Sequence, residues 1–143
     1  MTENALTRKM KLKADQRAAV IDAPEGYLEQ LEPLPRGVEV ATVADGPFDW
    51  VQVFVRNRAE LEAMLPRVVP ALKPESLIWI SFPKGSSKIQ TDLTRDRGWD
   101  SVETFDLKWV SLVSVNETWS AFGLRPYRPG EVRTSWQQRT TSS

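Results

Sequence analysis

The chain has 143 residues, 41% of them hydrophobic, and 19 basic side chains against 19 acidic ones, for a formal charge of zero. That length and apolar content are enough for one real core, and neutrality removes the global field that draws a protein to DNA or to an anionic membrane. Cysteine and histidine are both absent, which excludes disulfides, thiol nucleophiles, Cys/His zinc sites, Ser-His-Asp triads and imidazole acid–base chemistry.

Residues 1–13 are polar and end in the basic run RKMKLK, which reads as a flexible N-terminal arm. The first strand is expected at 17–22, followed by the turn 23–27 and a short helical piece at 27–31 that Pro33 and Pro35 terminate. Strands follow at 38–43 and 50–55, the latter with Val51, Val53 and Val55 on one face. The clearest helix covers 58–72: Leu61, Met64, Leu65, Val68, Val69 and Leu72 form one stripe. Asn57 is its expected N-cap, with Glu60 as the reciprocal partner and a kink at Pro66. A strand buried on both faces is expected at 76–82, a helix at 91–98 closed by Gly98, and a final antiparallel pair at 108–113 and 118–124. This order predicts an α/β fold: a three-layer Rossmann-like sandwich whose mostly parallel sheet carries an antiparallel C-terminal hairpin at one edge. A single domain is expected over 14–127, with 128–143 a disordered tail.

In such sheets ligands collect where strand C-termini open into loops. The segment PKGSSK at 83–88 follows the most apolar strand and offers cations, hydroxyls and a glycine to an anion. Its order and spacing differ from a Walker A loop. Arg56 follows the neighbouring strand, so the expected anion-binding rim is Arg56, Lys84, Ser86, Ser87, Lys88 and Thr91. The turn DAPEG at 22–26 has one glycine and a proline, not the repeated glycines of dinucleotide or adenosyl sites. The strand-borne tryptophans read as core, not as base-stacking platforms, and no carboxylate spacing marks a metal site.

Four segments carry a resemblance: FDWVQVFV at 48–55, LKPESLIWI at 72–80, PK at 83–84 and ETWSA at 117–121. On these the chain resembles a bacterial family of small domains of unknown function. The same order looks like the later half of a class I methyltransferase fold, in which LKPES stands where that fold has "LKPGG". The resemblance implies a trimmed methyltransferase-like sandwich.

The leading expectation is a non-catalytic domain that needs no cofactor or metal and binds a small anionic ligand at its rim. One alternative is an atypical S-adenosylmethionine-dependent methyltransferase, in which Asp22 and Glu25 would contact the cofactor and Arg56 and Lys84 would face the substrate. The other is a protein–protein interaction module, compatible with self-association. No run approaches the roughly 18 apolar residues of a membrane span, and the N-terminus lacks the apolar core of a secretory signal. A cytoplasmic location is therefore expected.

Overall fold

A computed structural model describes residues 4–43, 45–87, 89, 91–95 and 97–131. Its elements in chain order are α1 (Ala5–Lys9), β1 (Arg17–Ile21), α2 (Tyr27–Gln30), β2 (Glu39–Ala41), β3 (Phe48–Phe54), α3 (Arg58–Val68), β4 (Leu72–Pro83), α4 (Asp100–Glu103), β5 (Leu107–Ser114) and β6 (Trp119–Pro126). The six strands form one sheet in the order β2-β1-β3-β4-β6-β5. Pairings from β2 through β4 are parallel, and β6 runs antiparallel to both β4 and β5. The expected Rossmann-like architecture is therefore present, with its antiparallel hairpin at one edge.

Both sheet faces are covered because the central strands are apolar on both sides. On one face Leu61, Met64, Leu65 and Val68 of α3 pack over Val51, Val53, Ile78 and Ile80. That layer continues into a ring cluster of Phe82, Trp99, Trp109 and Phe122, with centroids 4.9–5.9 Å apart. On the other face Met10, Leu12, Tyr27 and Leu31 cover Trp50, Phe54, Trp79 and Trp119. Burial of these indoles agrees with their reading as core.

Several expectations meet a different structure. The arm over 1–13 is packed from residue 4 onward. Asn4 caps α1 through Leu6 and Thr7, and the carbonyl of Met10 accepts from both Trp50 Nε1 (2.8 Å) and Trp79 Nε1 (2.9 Å). A basic run hid two core residues, Met10 and Leu12, which lie beneath it.

No helix forms among the described residues of 91–98. The Thr91 hydroxyl accepts from Leu93 N, and the Asp92 carboxylate accepts from Arg58 N at the start of α3 (2.8 Å), so neither caps a helix of its own. Thr94 and Arg97 instead bridge each other, and the helical turn falls later, at Asp100–Glu103. In α3 Asn57 is the N-cap as expected, its Oδ1 accepting from Glu60 N (2.9 Å), but the Glu60 carboxylate accepts from Arg56 N (2.7 Å) and not from Asn57 N, and the α-helix passes Pro66 and tightens into a 3₁₀ turn at Val69–Ala71.

The expected tail over 128–143 is described only as far as residue 131, and residues 132–143 lie outside the described ones. The described part is latched. The Glu131 carboxylate takes two bonds from Arg125 (3.0 and 2.6 Å), one from Lys108 (2.7 Å) and the backbone N–H of Arg128 (2.9 Å). These donors, the Arg125 guanidinium foremost, hold the Glu131 carboxyl far below its ordinary value of 4.5. A lowered folded-state value gives stability that is present above 4.5 and lost as pH falls toward the folded value. Glu131→Gln should therefore lower the urea midpoint at about pH 7, and the gap to the parent should narrow by about pH 3. A gap that persists unchanged in acid would contradict the latch.

Candidate functional site

The chain leaves β1 toward β2 on one side and returns to β3 on the other. The β1/β3 boundary is thus where the strand order reverses, the place where open α/β sheets take ligands beyond their carboxyl ends. Two loops meet there, Asp22–Gly26 after β1 and Arg56–Asn57 after β3.

The first loop is shaped by two left-handed residues, Asp22 (φ 57°) and Gly26 (φ 82°). Aspartate tolerates that region through its short polar side chain, and a Cβ at Gly26 would meet nothing within 4 Å. The residue after it is anchored deep in the sheet. The Tyr27 hydroxyl donates to Gln52 Oε1 (2.7 Å), and Gln52 Nε2 reaches Ser81 Oγ (2.9 Å). Gln52 and Ser81 are wholly buried, and burial pushes the Tyr27 phenol above its ordinary value, so it stays a neutral donor. The loop is therefore held at one end by β1 and at the other by a polar chain running into β3 and β4.

Two hollows flank this loop and share Asp22 and Ala23. The one on the α2 side encloses about 440 Å³ and is lined by Val20, Asp22, Glu25, Leu28, Glu29 and Thr42, together with Ala23, Pro24 and Gly26. Its charged side chains are three carboxylates, with no cation among the lining residues. These three do not converge as a metal-holding cluster. Leu28 is 40% exposed there and supplies an apolar wall. The hollow on the α3 side encloses about 530 Å³ and is lined by Asp22, Arg56, Glu60, Met64 and Arg67, with Ala23 and Ala63. Both volumes fall in the range of small-molecule sites, about 300–1,000 Å³.

Of the expected rim, the two hollows take in Arg56 alone. Arg56 lines the α3-side hollow, and Asp22 and Glu25 line the α2-side one. Lys84 turns toward the hairpin, its Nζ donating to Ser114 Oγ (2.6 Å) and its N–H to Thr118 O (2.8 Å). The Ser87 hydroxyl donates back to Lys84 O (2.7 Å), closing a turn in which Ser86 is exposed. The Thr91 hydroxyl is engaged by Leu93 N (2.9 Å), and no helix starts there among the described residues. Lys88 lies outside the described residues. Sequence reading missed Glu29, Thr42, Glu60 and Arg67. Helical spacing carried a signal for two of them, since Glu60, Ala63 and Arg67 step by three and four along α3.

No protein-family model matches the chain, and no curated protein matches it. The resemblance to a bacterial domain family accordingly gains no support, whereas the methyltransferase-like fold does. A SAM-dependent methyltransferase from Aquifex aeolicus is similar over 83% of this chain and 86% of its own, with TM-score 0.59 and 11% identity. A ribosomal protein methylase from Lactobacillus delbrueckii subsp. bulgaricus is similar over 85% and 76%, with TM-score 0.52 and 9% identity. A tRNA methyltransferase from B. subtilis is similar over 89% and 67%, with TM-score 0.52 and 9% identity. At such identities the likeness establishes the fold, that of class I methyltransferases. It also corrects the leading expectation of a non-catalytic domain: many of the solved structures that share this fold are methyltransferases, and they favour the enzyme alternative.

Proposed function

We propose that the protein is an atypical S-adenosylmethionine-dependent methyltransferase whose cofactor site is the hollow on the α2 side of the β1 loop. The observation that carries this reading is the acidic hollow between the loop after β1 and the end of β2, next to the point where the strand order reverses. The residues present fit the cofactor by charge and shape. Adenosylmethionine is a sulfonium cation with an amino-acid end, and three carboxylates with no opposing cation line the hollow. Asp22, Glu25 and Glu29 would hold its positive centres and sugar hydroxyls, Leu28 would cover its base, and the bare backbone at Gly26 leaves room for close approach.

When bound, the cofactor supplies a methyl group made electrophilic by the positive sulfur. The chain's part is positioning. Asp22 borders both hollows, so its carboxylate is the group best placed to orient an acceptor entering from the α3 side. Tyr27, Gln52 and Ser81 keep the loop in place from below. Single-glycine loop chemistry, with Pro24 lacking an N–H, leaves fewer backbone donors than a glycine-rich turn would, which is why side-chain carboxylates dominate here.

Isothermal titration of the full chain with adenosylmethionine tests the reading. The expected result is saturable one-to-one binding in the micromolar range. Absence of heat at millimolar cofactor, together with no thermal shift, would overturn it.

A further inference from the structure

The α3-side hollow differs from its neighbour in charge, and that difference assigns it a ligand. We infer that it is an oxyanion-binding subsite that receives the phosphate or carboxylate group of the methyl acceptor through Arg56 and Arg67. The inference rests on the methyltransferase reading only in calling the bound molecule the acceptor; the subsite itself stands on its own geometry.

Three arginines occupy this stretch, and they are not equivalent. Arg58 is committed to structure: its Nε lies 2.9 Å from Glu62 and its Nη2 3.5 Å from Asp100, and the Glu62 bond foremost raises its pKa. Among the described residues Arg56 and Arg67 have no ion pair, yet both line the hollow. The one carboxylate of α3 in the same hollow, Glu60, is turned to the backbone and accepts from Arg56 N (2.7 Å). Asp22 faces the hollow from the β1 side and marks its border with the cofactor hollow. Arg56, just before α3, and Arg67, in its last turn, line one hollow without an ion pair among the described residues, and a guanidinium's planar fork takes oxyanions bidentately. A neighbouring acidic hollow repels the same group, so the two hollows sort a cationic ligand from an anionic one.

The test uses the ¹⁵N-labelled full chain and three titrations followed by amide shifts: inorganic phosphate, acetate and adenosylhomocysteine. Phosphate or acetate should move the amides of Ala23, Arg56, Glu60, Ala63 and Arg67, and the tighter of the two names the group on the acceptor. Arg56→Ala/Arg67→Ala should raise the apparent dissociation constant about tenfold or more, while Arg36→Ala, an exposed cation elsewhere, should not change it. Shifts that are absent, or that persist in the double variant, would overturn the subsite. Adenosylhomocysteine separates the two readings, since it should move Glu25, Gly26, Glu29 and Thr42 in parent and double variant alike. If it moves nothing while phosphate acts as expected, the cofactor reading fails and the subsite stands. The converse sinks the subsite alone.

Discussion

Trp79→Ala should be among the most destabilising single changes in this protein, lowering stability by about 3–5 kcal/mol, the range for deleting a buried tryptophan side chain. Trp79 is 0% exposed at the centre of β4, and its ring lies against Gly123 of β6, where a Cβ would sit 2.8 Å from it. The cross-strand glycine thus exists to admit the indole, and no neighbour can fill the space left by its removal. The ring has a second role. Its Nε1–H and that of Trp50 both end on the carbonyl of Met10, the residue that closes α1. Loss of one donor loosens residues 4–12 from the sheet as well as opening a cavity.

Thermal melting should show a drop on the order of 10 °C or more for a domain of this size, and hydrogen exchange should show lost protection in α1 before the rest. Trp79→Phe, which keeps most of the volume and removes the donor, should cost much less, because Trp50 still satisfies the carbonyl. A Trp79→Ala protein that melts within about 2 °C of the parent with α1 still protected would refute the account.

The same packing shows why some elements were legible in sequence and others were not. Strands β1, β3 and β4 and helix α3 announce themselves because burial imposes a period on apolar residues: Val51, Val53 and Val55 alternate, while Leu61, Met64, Leu65 and Val68 stay on one stripe. Met10 and Leu12 carry no such period, since they alternate with lysines in a run too short to average. Their burial depends on two indoles about 40 and 70 residues further on, a partnership that local propensity does not contain. Residues 91–98 fail for the opposite reason. Thr91 and Asp92 are good caps, but Asp92 is drawn to the N–H of Arg58, so a tertiary bond outcompetes the local helix. The site followed suit. Asp22, Glu25 and Arg56 sit at strand ends and could be placed by topology alone. The bond from Lys84 to Ser114 depends on where the hairpin packs, which local sequence does not contain.

Neutralising the acidic hollow with Asp22→Asn, Glu25→Gln and Glu29→Gln together should weaken adenosylmethionine binding by about 100-fold, from roughly 1 kcal/mol for each partly exposed charge contact. Asparagine is the required choice at 22, because the left-handed backbone (φ 57°) suits Asn as well as Asp and would strain most other residues. All three positions are exposed, so the melting temperature of the free protein should change little. The comparison with adenosylhomocysteine gives the result its meaning. That molecule has the same base, sugar and amino-acid end but no positive sulfur, so it loses the attraction that the sulfonium adds. Its affinity should fall by about tenfold less than that of adenosylmethionine in the triple variant, and in the parent it should depend less on salt. Equal losses for both ligands would mean that the carboxylates hold the sugar and ammonium groups alone, with Asp22 then taking no part at the reacting sulfur. Unchanged affinity for both would move the cofactor out of this hollow altogether, and with it the assignment of Asp22 as the group between cofactor and acceptor.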